Sequence, residues 1–133
     1  LRYQINPEVE KLMFDTFYKL LEQQNLFVQY DARIREVVAY IHHHFAKNLS
    51  VEVLANIACL SATQFKKNFK SQTNQTVTEY ITKIRMQKAQ ALLLHTDSPI
   101  AIIAELVGYT DVSAFSRRFS KYFGIAPSKL KHV

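Results

Sequence analysis

The chain carries an internal repeat, and that repeat narrows the folds open to it more than any bulk property. Laying Leu54–Ala58 over Ile103–Val107 gives an offset of 49 residues. One extra residue in the second turn raises the offset to 50, and Phe65/Phe115, Lys67/Arg117, Phe69/Phe119 and Asn74/Gly124 then coincide. Each copy reads as a short helix, a tight turn, a basic helix with Phe at i and i+4, a left-handed stop and a new helix start. Two copies are too few for a solenoid, so the pattern predicts two similar subdomains. Only 2 Gly and 3 Pro leave few tight turns for a many-stranded sheet, while 48% apolar residues suffice for a buried core. The expected fold class is all-α.

Periodicity and end signals place about seven or eight helices along the chain. Residues 7–24 are amphipathic, with Pro7 in the first turn and Val9, Leu12, Met13, Phe17, Leu20 and Leu21 at helical spacing. "NLFVQYD" breaks that period. A second helix, "ARIREVVAYIHHHFAKN", is expected to bury Ile34, Val37, Val38, Ile41 and Phe45. Ser50 is expected to cap the short helix "VEVLANIA", and Ser61 with Gln64 forms a capping-box pattern before the helix from Ala62 to about Gln72. Thr76 and Glu79 repeat that pattern at the start of the long helix. Ser98 is expected to cap a helix whose first position is Pro99. Gly124 then stops "VSAFSRRFSKYF", and Pro127 opens a last helix. Gly108 and Gly124 sit where positive φ is expected; of their counterparts Cys59 and Asn74, Asn tolerates that region far better.

The net charge of +6 is unevenly spread: residues 1–30 sum to −1 and residues 31–133 to +7. The basic part is the part that repeats, which points to a polyanionic partner. No apolar run approaches the roughly 20 residues of a membrane span, so no membrane partner is expected. No signal peptide opens the chain. A single cysteine, Cys59, leaves no internal disulfide or thiolate metal cluster to form and fits a cytoplasmic location. The chain opens on Leu1 rather than Met and is expected to be a piece of a longer protein.

A helix, a short turn and a second, basic helix make the outline of a helix-turn-helix. The architecture expected is therefore two such subdomains, 31–75 and 97–133, joined by a connecting helix over 76–96, with residues 1–30 as an extra N-terminal helical segment. With Phe65 at zero on a helical wheel, Phe69 falls near 40°, while Thr63, Lys67 and Lys70 fall at roughly 140–200° and Lys66 on the flank. In the second copy Phe115, Phe119 and Tyr122 face inward, whereas Ser113, Arg117 and Ser120 point out. Arg118 falls on the shoulder, as does Asn68. Lys67 and Arg117 are thus the geometric candidates for reading bases in the major groove, and Arg118 for a phosphate. Lys70 and Lys121 are further phosphate candidates, as are the helix starts at Ser50, Thr76 and Ser98. From Val77 to His95 the connecting helix measures about 28 Å, enough to set two recognition helices roughly one 34 Å turn of DNA apart.

At this point the residues resemble a known family. "IAIIAELVGYTDVSAFSRRFSKYFGIAPSKLK" resembles the AraC/XylS-type signature, and "LSVEVLANIACLSATQFKKNFKSQTNQTVTEYITKIRMQKAQALL" resembles its first half. The resemblance covers residues 31–133. It implies a bacterial transcription regulator that binds double-stranded promoter DNA, with RNA polymerase as a candidate partner. The family's base-contacting positions fall on Thr63, Lys66 and Lys67, and on Val112, Ser113 and Arg117. Cys59 and Asn74 replace the usual glycines of the first half, and Leu130 stands where an aromatic is common. Val112 and Ser113 are small, so the second helix would read through Arg117 and a methyl contact from Val112 to thymine. Residues 1–30 resemble the helical linker that follows a ligand-sensing domain, which would supply a homodimer contact; the 7–24 helix is expected to dock on the domain, with a dimer seam as its alternative.

Competing readings are weaker. His42, His43 and His44 point about 100° apart on a helix and cannot share one ion, so no metal and no cofactor is expected. Cys59 reads as a half-buried turn filler, and the Phe stripes as core rather than base-stacking platforms. No Ser/His/Asp order, Gly-rich phosphate loop or zinc pair appears, so an enzyme is not expected. The alternative kept is a helical protein- or RNA-interaction module whose basic faces meet an acidic partner.

Overall fold

The computed structural model describes residues 7–24 and 30–131, and side chains for 8–16 and 30–131. Among the described residues there are eight helices and no strand: α1 (Pro7–Gln24), α2 (Ala32–His44), α3 (Val51–Ile57), α4 (Ala62–Thr73), α5 (Val77–His95), α6 (Ile100–Leu106), α7 (Val112–Phe123) and α8 (Pro127–Lys131). The all-α expectation holds. The chain divides into two compact units, one built from residues 7–43 and 49–77, the other from residues 44–48 and 78–131.

In the first unit, Ile34, Val37, Val38 and Ile41 recur along one face of α2 and are buried, as are Leu54, Ala55 and Ala58 and the Phe65 and Phe69 rings. Each large side chain so removed from water contributes about 1.5–3 kcal/mol. α3 packs directly on α4. Asp31 stands just before α2: its Oδ1 accepts from the Ile34 amide at 3.0 Å, and its Oδ2 accepts from Gln72 Nε2 at 2.9 Å. The Asp31 amide returns a bond to Gln72 Oε1 at 2.9 Å, which ties the start of α2 to the last turn of α4. The Ile34 amide first, then the Gln72 side chain, holds the Asp31 carboxyl below its ordinary range.

In the second unit, Tyr80, Ile84, Met86, Ala89, Leu92 and Leu93 of α5 are buried, as are Ile103, Ala104 and Val107, the Phe115 and Phe119 rings, and Pro127. α7 packs on both α6 and α8. Residues 44–48, the last residue of α2 and the segment after it, belong to this unit and contribute the buried Phe45 ring.

Four expectations are corrected. α2 ends at His44 instead of running on to Asn48. Pro99, not Ser98, is the N-cap of α6: it holds the extended backbone (φ −60°, ψ 151°) and offers no side-chain bond. The Ser98 amide instead donates to Thr96 Oγ1, and its carbonyl accepts from Lys131 Nζ at 2.6 Å. Tyr122 is 45% exposed because the buried stripe of α7 stops one turn short of the helix end. Finally Val9, Leu12 and Met13 of α1 are 47%, 65% and 56% exposed. Over its described part that stripe is exposed rather than docked, and Asp15 Oδ1 lies 3.5 Å from His43 Nδ1 of α2. Phe17, Leu20 and Leu21 lie outside the described side chains.

Candidate nucleic-acid interface

The turns of the two helix-turn-helix copies match bond for bond. Ala58 and Val107 donate to Leu54 and Ile103 carbonyls, both at 3.1 Å. Cys59 and Gly108 donate to Asn56 and Glu105 at 3.0 Å, and Leu60 and Tyr109 to Ala55 and Ala104 at 3.0 and 2.9 Å. Such a closure needs one residue in the left-handed region. Cys59 takes φ +57° there and Gly108 φ +101°.

Thr110 is the extra residue of the second turn, and the copies regain register at their N-caps. Ser61 Oγ accepts from the Gln64 amide at 3.2 Å, and Asp111 Oδ1 from the Ser113 amide at 2.9 Å. Both second helices then end on a left-handed residue, Asn74 (φ +61°) or Gly124 (φ +73°). Its amide bonds the carbonyl four residues back at 2.8 Å in each case. The expected stop signals are therefore present in both copies.

The inward faces are aromatic. Phe65 and Phe69 meet at 5.6 Å between ring centres, Phe115 and Phe119 at 5.8 Å, and all four are fully buried. Tyr109 adds an edge contact to Phe115 at 5.6 Å. The outward faces are polar. Thr63, Lys66, Lys67 and Lys70 are exposed on α4, and Val112, Ser113, Arg117, Arg118 and Lys121 on α7. Neither helix contains an acid. Among the described residues, no ion pair or hydrogen bond engages the six cationic side chains of these two helices.

Nine of the sequence-predicted residues thus fall into two groups, four on α4 and five on α7, and each unit presents its own. Arg118, placed on the shoulder by angle alone, is exposed, as Arg117 is. Ser50 caps α3 through the Val53 amide at 3.2 Å. Thr76 is exposed immediately before α5, and Ser98 is half-buried two residues before α6. Open cations, hydroxyls and a methyl-bearing side chain can neutralise phosphates and meet base edges.

Sequence reasoning missed Asp111 as a cap, although an Asp before a helical run is a visible start signal. It also missed Arg85, Asp31 and Gln72, whose contacts span about forty residues of chain and leave no local sign.

A family model described as a helix-turn-helix domain matches residues 54–132, from within α3 through α8. The chain belongs to the AraC-type helix-turn-helix family. The AraC-type match takes in both copies. Of the curated relatives, the Msm operon regulatory protein of Streptococcus mutans is 34% identical over 134 residues, covering 92% of this chain and 48% of that protein. The chain spans well under two thirds of the length of the curated relatives it matches, from 36% to 48%. The C-terminal domain of AraT, a response regulator from Geobacillus stearothermophilus, superimposes with a TM-score of 0.75 at 33% identity, covering 78% of this chain and 87% of that one. The DNA-binding domain of AdpA, a global transcriptional factor in complex with a target DNA, superimposes at 0.72 with 27% identity, covering 75% and 90%.

Proposed function

We propose that residues 31–133 bind double-stranded promoter DNA sequence-specifically, as the reading module of a bacterial AraC-type transcription regulator. The observation that carries this reading is the duplicated outward face, acid-free and cationic on α4 and again on α7. The AdpA domain, found with its target DNA, supports it. Thr63, Lys66 and Lys67 of α4, and Val112, Ser113 and Arg117 of α7, meet base edges in successive major grooves. Lys70, Lys121 and Arg118 neutralise phosphates, joined by the backbone amides near Ser50, Thr76 and Ser98. α5, 19 residues long, supplies a span of about 28 Å toward the roughly 34 Å of one DNA turn.

Residues 1–30 are read as the tail of a sensor or dimerisation domain, and 31–75, 76–96 and 97–133 as the parts of the DNA-binding domain. A homodimer would form through that domain or through the outward Val9, Leu12 and Met13 of α1. RNA polymerase is the further partner proposed, the location cytoplasmic, and the action binding without catalysis or cofactor.

The test is a selection from random duplex DNA repeated over a salt series. Two short enriched boxes one helical turn apart, with affinity falling as salt rises, are expected. Recovery of unenriched sequence at every salt would overturn the reading.

A further inference from the structure

One side chain of α5 reaches the turn that precedes the second basic helix. Arg85 donates from Nε to the Phe45 carbonyl at 2.7 Å and from Nη2 to the Lys47 carbonyl at 3.0 Å. These carbonyls lie just past α2, where helix geometry leaves acceptors without partners. The same guanidinium stands 5.6 Å from the centre of the Tyr109 ring, and that ring abuts Phe115 of α7. Next to Tyr109, Gly108 backs onto Ala46. A continuous path of contact therefore runs from Phe45 and Lys47 through Arg85 and Tyr109 to Phe115. Burial pulls the Arg85 guanidinium below its ordinary value while Tyr109 opposes that shift, and an arginine stays cationic throughout.

The first copy is built otherwise. Leu60 occupies the place of Tyr109 and offers no ring to a cation, and Cys59, at the place of Gly108, is exposed rather than half-buried as expected. α4 is held instead at its far end, through Gln72 on Asp31.

We propose that Arg85 is the positioning residue of α7: through Tyr109 it sets the pitch at which Val112, Ser113 and Arg117 are presented. The consequence for specificity rests on the reading of α7 as a base-reading helix, and the experiment separates the two. The first arm needs no DNA. Amide hydrogen exchange of Arg85→Met is expected to be about tenfold faster than wild type at Tyr109 and Phe115, with Leu60 and Phe65 unchanged.

In the second arm, every base pair of the selected duplex is substituted in turn. Arg85→Met should flatten preference about tenfold at the pairs that depend on Arg117 and leave the Lys67-dependent pairs discriminated. Arg85→Lys, which keeps the charge and a donor, should return preference to within about threefold of wild type. Unchanged exchange at Tyr109 and Phe115 overturns the positioning role whatever the DNA arm shows. Equal loss at Lys67- and Arg117-dependent pairs overturns it too, because a general loosening would act on both. Faster exchange in a protein whose wild type prefers no sequence sustains the clamp and removes the DNA reading. Should Arg85→Met fail to fold, Tyr109→Leu breaks the same path and is read by the same outcomes.

Discussion

Gly108 and Ala46 stand too close for a side chain between them: a Cβ on Gly108 would lie 2.8 Å from the Ala46 carbonyl oxygen and 3.0 Å from its Cα. Gly124 has no atom within 4 Å of the same position. Both hold positive φ. Gly124→Ala should therefore cost only the left-handed backbone penalty, about 1–2 kcal/mol. Gly108→Ala should cost clearly more, because backbone must move as well. Urea midpoints measure the difference, and equal losses for the two variants would contradict the contact.

Cys59 occupies the left-handed region with a Cβ, in a turn whose twin uses glycine. Cys59→Gly is expected to raise stability by about 1 kcal/mol, the relieved strain less the added freedom of the unfolded chain. A lower thermal midpoint for Cys59→Gly would show that the Cβ is doing more than straining the turn.

Asp31 makes stability depend on pH. Its folded carboxyl is held below the ordinary 3.8, so its contribution is fully present above that value and is lost as pH falls through the lower folded one. Asp31→Ala should cost about 1 kcal/mol at neutral pH through loss of the cap, and less in acid. Gln72→Ala should move the Asp31 carboxyl back up in an NMR titration. A titration unmoved by that change would rule out the paired amide as a cause.

Arg117 and Lys70 should separate specificity from affinity. Arg117→Ala is expected to cost about 1–3 kcal/mol at the selected duplex and to relax preference at particular base pairs. Lys70→Ala and Lys121→Ala should weaken all duplexes alike and lower the salt slope by about 1 each. Binding isotherms over a salt series decide it; an Arg117→Ala protein that keeps full preference would remove that residue from the reading face.

Most of the fold is legible from local signals, and the departures have physical causes. Phe65, Phe69, Phe115 and Phe119 announce two buried stripes because their spacing is helical and each is fully buried. Asn74 and Gly124 announce two stops for the same local reason. Tyr122 was misplaced because angle tells which way a residue points, not where along the helix the neighbouring layer ends. Ser98 was misplaced because Pro99 is itself fitted to the extended cap position. The candidate reading faces follow from angle and composition. What supports them does not: Arg85 meets Phe45 across 40 residues and Gln72 meets Asp31 across 41, and neither pairing has a periodic trace. Lys88, a lysine 4% exposed on α5, gives no local sign either.

The bond-for-bond likeness of the turns after α3 and α6 has a practical corollary. Every substitution made in one turn has a twin in the same polypeptide, subject to the same solvent, concentration and history. A difference between twins then reports only the residues in which the two turns differ and their surroundings, so the molecule supplies its own reference compound.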